Sequence, residues 1–166
     1  MKKLFFAIVA LAFMISCNRT LTEKEYNLKI TDSFNRIDDL MEEYFFLVDK
    51  RPEKSREVLA ELKKASREEL KKMDKLQPFE GEEFYLSAQL HLLEYMGNVI
   101  DHGMKDYVEI RNKKKMDPFD NERVVYLQKE IRKEYNALAN RVMNESIRFC
   151  KYHNLDISEK FWKRTS

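Results

Sequence analysis

The chain has 166 residues, with 31 Lys+Arg against 29 Asp+Glu and a formal charge of +2. Two of those cations, Lys2 and Lys3, sit at the very start; without them the balance is 29 against 29. A neutral chain with both signs interspersed gives no electrostatic footprint for nucleic acid, and the absence of any Val/Ile/Thr-rich alternation argues against a β protein.

The first element in chain order is a leader. Lys2 and Lys3 form a basic region, Leu4 to Ile15 is uncharged and apolar, and Met14-Ile15-Ser16-Cys17 follows. A membrane-spanning helix needs about 20 apolar residues; this run is shorter and has the length of a signal-peptide core. A small residue directly before a cysteine resembles the lipobox of bacterial lipoproteins, although Met14 stands where Leu is usual. The resemblance implies cleavage after Ser16, so that residues 1–16 are the signal peptide, and diacylglycerol plus amine-linked (palmitate-type) acylation of Cys17. Each buried CH2 contributes about 0.8 kcal/mol, so several acyl chains anchor stably where one does not.

Cleavage would leave 150 residues, 17–166, of which 17–21 form a tether and 22–166 suit one helical domain with a real core. Lipidation consumes one of the two cysteines. Cys150 is then alone, and is expected to be a small residue at the edge of a buried face; the alternative is a disulfide between chains.

Pro52, Pro78 with Gly81, and Pro118 divide the domain into four segments rich in Glu, Lys, Leu and Met, all good helix formers. The first helix is expected from Thr22 to Lys50, with Thr22 and Glu25 as a capping box and Ile30, Phe34, Ile37, Met41, Tyr44 and Val48 as its apolar seam. The second should run from Pro52, well placed in a first turn, to Leu76. Leu59, Leu62, Leu70 and Met73 form its seam, with small Ala65 and Ser66 between, and the Lys/Glu alternation around Lys63 to Lys72 is read as a solvated face.

The third helix, Glu82 to Arg111, is the most apolar. Leu86, Leu90, Leu93, Gly97, Ile100, Met104 and Tyr107 make one seam, and Ala88, Leu92, Tyr95 and Val99 a second beside it. Together they cover more than half of the circumference, so this helix either packs on two neighbours or keeps part of its arc for a partner, with Leu92 and Tyr95 the candidate contacts. The fourth helix should run from Pro118 to His153, capped by Asp117. Val124, Gln128, Ile131, Tyr135, Leu138, Val142, Glu145, Phe149 and Tyr152 hold its heptad spacing, with Gln128 and Glu145 expected near water. Four such helices with short loops argue for an antiparallel up-down four-helix bundle; the alternative leaves the first helix partly detached. Beyond Asn154, Ile157, Phe161 and Trp162 either close one end of the bundle or form an anchor for a partner or membrane.

The best candidate for chemistry is His91 with Glu94, an i,i+3 pair able to hold a metal from one helix face. Di-metal bundles use Glu-x-x-His on paired helices; here the order is reversed and no second pair exists. His91, Glu94, Asn98, Asp101 and Lys105 also fall in the gap left by the apolar arc, so a solvated stripe, with Asp101 and Lys105 as a surface pair, is the expected outcome. No Gly-rich phosphate loop or Ser/His/Asp grouping occurs, and no catalytic residue or cofactor is assigned.

The leader and helical content together resemble the small helical lipoproteins of diderm bacteria. By the enterobacterial rule an aspartate right after the lipidated cysteine retains a protein at the inner membrane, and Asn18 stands there instead. The resemblance implies an outer-membrane protein facing the periplasm more readily than the cell surface. Its partners would be the membrane, through the acyl chains, and another envelope protein. Two functions remain: a non-enzymatic interaction or scaffold module, and a metal- or small-ligand-binding bundle using His91 and Glu94.

Overall fold

The structure, a computed structural model, describes residues 21–157. The leader, Ser16, Cys17, Phe161 and Trp162 lie outside the described residues. Within them the chain is all-helical: α1 (Glu23–Lys50), α2 (Pro52–Met73), α3 (Glu83–Val99), a π-helical turn (Ile100–Met104), α4 (Lys105–Arg111) and α5 (Pro118–Tyr152). The backbone stays helical from α3 through the π turn into α4, so these three form one continuous rod with a widened turn.

The helix ends follow from local chemistry. Thr22 Oγ1 accepts the Glu25 amide at 3.2 Å, and Glu25 Oε2 accepts the Thr22 amide at 2.9 Å. Asp117 and Asp120 repeat the device on α5, with bonds of 2.8 and 3.2 Å. Each box satisfies two otherwise orphaned amides. Pro52 and Pro118 occupy first turns, where a missing N–H costs nothing. The turn at 79–82 closes with the Glu82 amide on the Phe79 carbonyl at 2.8 Å. Glu80 (φ 48°) and Gly81 (φ 84°) both have positive φ, the pattern of a type I′ turn.

The pairings fix the directions of the helices. Asn27 meets Ser146, Asp38 meets Tyr135 and Asp49 meets Gln128, so α1 and α5 are antiparallel. Arg36 meets Glu68 and Glu69, setting α2 antiparallel to α1. Ser33 meets Gln89 and Asp49 meets Tyr107, so α3 and α4 run with α1. α1 also packs on α2, α3, α4 and α5, which rules out a detached first helix.

The α1 seam from Ile30 to Val48 is buried throughout, at most 2 % exposed. Burying a residue of this size contributes about 1.5–3 kcal/mol. Three expectations need correction. On α2 the core face is Ser55, Val58, Leu62, Ala65, Ser66, Glu69 and Met73; Leu59 and Leu70 are only half-buried at its edges. Glu69, read from the sequence as part of a solvated face, is 3 % exposed because Arg36 and Lys72 both reach its Oε1 at 2.7 Å. On α3, Gly97 is exposed and Leu90 half-buried, while Tyr85 and Gln89 are buried instead.

The π turn adds a residue to the rod and brings Met104, Tyr107 and Val108 onto the core side. Tyr44 donates its hydroxyl to the Met104 carbonyl at 3.1 Å. Gly103 faces Ile131 of α5, whose Cδ1 would lie 3.5 Å from an added Cβ.

Candidate functional site

The groups singled out from the sequence on α3 do not converge. His91 and Glu94 are both exposed, and His91 Nδ1 lies 3.4 Å from the Arg141 guanidinium, a cation where a metal would need room. Among the described residues no group of three or more His, Cys, Asp or Glu side chains could hold a metal ion. Asp101 and Lys105 are not a pair: Asp101 binds Lys63 and lies 3.7 Å from Arg67, both on α2, and Lys105 lies 3.9 Å from Glu109.

Leu92 is 0 % exposed in the core, so the apolar arc is covered from within the chain and Leu92 presents nothing to a partner. Tyr95 is half-buried, its hydroxyl 3.5 Å from the Ile131 carbonyl, and burial pushes that phenol up to about 12. Cys150 is buried and unpaired. Burial holds its thiol above the ordinary value, which fits the core role rather than the interchain disulfide.

A different site lies between the C-terminal end of α1 and the first half of α5. Asp49 is its hub. It accepts the Tyr107 hydroxyl at 2.9 Å and the Gln128 amide at 3.1 Å, and Arg132 and Arg111 stand 3.9 and 4.0 Å away. Gln128, polar on a heptad seam, is thereby explained: it spans to Asp49 instead of simply reaching water. Arg111 donates to the carbonyls of Val48 and Asp49 at 3.3 and 3.2 Å, closing the end of α1, where a cation complements the helix dipole. Burial, and next the hydrogen bond to Asp49, raise the Tyr107 phenol well above its usual range. It is therefore a fixed donor and not an ionisable nucleophile.

Beside this hub opens a cleft of about 390 Å³ lined by Met41, Phe45, Phe46, Asp49, Arg132 and Asn136, among others. The Arg132 guanidinium lies 3.9 Å above the Phe45 ring centroid, a cation–π contact that holds it flat along the wall. Phe46, Phe119, Val125 and Tyr126 are 56–80 % exposed, and the Asp49–Gln128 bond sets all four at this same end. The arrangement offers apolar surface, a planar cation and a fixed carboxylate. That composition suits binding of side chains and supplies no activated nucleophile.

None of these four exposed residues stood out in the sequence. Their one signal was position: each is large and apolar yet falls off its helix seam.

No family model, no curated protein and no solved structure matches this chain.

Proposed function

We propose that the chain is an up-down-up-down four-helix bundle, tethered to the bacterial envelope through a lipidated Cys17, that acts as a non-enzymatic interaction module. The alternating directions of α1, α2, the α3–α4 rod and α5 support the bundle. The leader motif supports the tether, and with Asn18 it favours the outer membrane and its periplasmic face. No helix among the described residues is long and apolar enough to cross a membrane, so attachment through acyl chains is compatible with the fold.

One observation carries the interaction role: the large apolar side chains exposed at one end of the bundle, Phe46 on the wall of the Asp49–Arg132 cleft and Phe119, Val125 and Tyr126 on α5. Aromatic residues with arginine dominate binding hot spots, and Phe45, Phe46 and Arg132 all line this cleft. These side chains lie at the end of the molecule away from Leu21. A 28-residue helix spans about 42 Å, so a tether at Cys17 would present this surface away from the bilayer. Lys114 and Lys115, both exposed beside α5, favour a protein partner with an acidic rim.

The test is crosslinking in intact cells followed by capture, comparing the wild-type chain with Phe119→Ser and Tyr126→Ser. The reading expects one discrete partner whose recovery falls with either change while helicity is kept. Equal recovery from all three chains would remove these distal side chains from the reading. Cys17→Ser tests the anchor separately: it should release the protein from the membrane fraction and abolish the added acyl mass.

A further inference from the structure

At the end of the molecule opposite the Asp49 cleft, a second groove of about 320 Å³ is lined by Gly81, Glu82, Phe84, Arg148 and Tyr152. Phe84 is 58 % and Tyr152 74 % exposed. Phe84 lies at the start of α3 and Tyr152 ends α5, so two exposed rings from different helices line the same groove. Arg148 lies 5.0 Å over the Phe84 ring, and its charge is engaged by Glu145, 2.9 Å away. The neighbouring turn carries Glu80, Glu82 and Glu83.

The chain leaves α5 beside this groove, since Tyr152 lines it and His153 is tied to Glu82. Asn154 has φ 54°, and the Leu155 amide bonds the Cys150 carbonyl at 2.8 Å while the His153 amide bonds Phe149. This left-handed residue with a six-to-one bond is the Schellman reversal, which turns a chain back along the helix it has left. Leu155 packs against the core, and His153 is tied to Glu82 at 3.1 Å, so the reversal is pinned on the α3 side. Residues 158–166 then read Ser-Glu-Lys-Phe-Trp-Lys-Arg-Thr-Ser. They hold two large aromatics flanked by Lys160, Lys163 and Arg164, opposite in sign to the three glutamates. Phe161 and Trp162 lie four and five residues past Ile157, within about 18 Å of chain.

The geometry points to an intramolecular docking site: the groove of Gly81, Phe84, Arg148 and Tyr152 takes the chain's own segment 158–166, with Phe161 or Trp162 between the Phe84 and Tyr152 rings. Aromatic pairs of this kind, with an arginine face beside them, stabilise by offset or edge contacts beyond their burial. Trp162 is then a clasp joining the end of α5 to the start of α3, and not the contact for a partner.

Trp162 is the only tryptophan, so its fluorescence reads the segment directly. The full chain is examined in dodecyl maltoside and in the brominated form of that detergent, with acrylamide as the aqueous quencher. Docking predicts blue-shifted emission that is resistant to both quenchers and independent of protein concentration. Phe84→Ser and Tyr152→Ser, both at exposed positions, should shift the emission to the red and raise acrylamide quenching severalfold with helicity unchanged. Strong acrylamide quenching of the wild-type chain would overturn the proposal. Quenching by the brominated detergent would place Trp162 in the micelle, and concentration-dependent protection would place it on a second copy; either result also overturns it.

Discussion

The Tyr85 hydroxyl donates to Asn27 Oδ1 at 3.0 Å, joining α3 to α1 inside the core, 58 residues apart in sequence. The same oxygen lies 3.4 Å from the Ser146 hydroxyl of α5 and 3.5 Å from Thr31, so one amide ties three helices in register. Buried polar groups are costly when orphaned. Asn27→Ala is therefore expected to lower unfolding stability by about 2–3 kcal/mol, because Tyr85 and Ser146 lose their shared acceptor. Tyr85→Phe alone should cost about 1 kcal/mol. The double variant should cost less than the sum, since neither partner then leaves the other unpaired. Urea titrations of the four chains check this; strict additivity would mean that the bond does not couple the helices.

Glu69 is the buried carboxylate among those that contribute acid sensitivity. Burial pushes its carboxyl up, but the hydrogen bonds from Lys72 and Arg36 outweigh burial and hold it below the ordinary 4.5. A group depressed in the folded state contributes stability that is complete above its unfolded value and is lost as pH falls through the folded value. Stability of the wild-type chain should thus decline below about pH 4.5. Glu69→Gln should be less stable at neutral pH by about 2 kcal/mol and show a flatter acid limb. Arg36 and Lys72 remain partly solvated, which keeps the figure below that for a fully buried pair. Parallel acid-limb slopes for the two chains would assign the decline to other carboxylates.

Glu69 also shows where sequence reading stops. The helix ends were legible because caps are local: Thr22 with Glu25, Asp117, Pro52 and Pro118 act within four residues of themselves. The α1 seam was legible because its spacing is unbroken. α2 was legible in part: Leu62, Ala65, Ser66 and Met73 are buried as their spacing suggested, while Leu59 and Leu70 fall at the edges and Ser55, Val58 and Glu69 take the core side. The burial of Glu69 could not be read because its partner Arg36 lies on another helix. The Asp49 hub was illegible for the same reason: Tyr107, Arg111, Gln128 and Arg132 converge only after α1, α4 and α5 are packed.

Cys150 gives a kinetic test. Its thiol is 1 % exposed and is held above 9.0 by burial, an effect only partly offset by Ser146 and Asn27. Thiolate is the reactive form, so labelling by an aromatic disulfide reagent should be slow in the native state and should track unfolding as urea is added. The raised value means that stability is intact below about pH 9 and is lost as pH rises through the folded value. The protein should run as a monomer on non-reducing gels; a dimer band removed by Cys150→Ser would contradict the buried placement.

His91 and Glu94 provide a metal test. With Arg141 3.4 Å from Nδ1, a divalent cation at this pair would meet a fixed positive charge and too few ligands for a closed site. Zinc titration by calorimetry is expected to give no stoichiometric binding, and His91→Ala should leave the heat trace and the thermal midpoint unchanged. A one-to-one isotherm abolished by His91→Ala would revive the metal-bundle function and displace the interaction reading.

The glycines separate backbone effects from packing. Gly97 lies inside α3, is exposed, and an added Cβ would meet nothing within 4 Å. Ala there removes unfolded-state freedom at no steric cost, so Gly97→Ala should stabilise by about 0.5–1 kcal/mol. Gly81 also has open space around it, but its φ is +84°. Gly81→Ala should therefore destabilise, by about 1 kcal/mol or more, through backbone strain alone. The turn it closes positions Phe79, whose ring packs 5.4 Å from Tyr26 and 5.8 Å from Phe149, so strain at Gly81 would reach the aromatic core. Opposite signs from the same substitution at two uncrowded sites, read as urea midpoints at constant slope, would show that conformation and not contact sets the tolerance of this chain to glycine replacement.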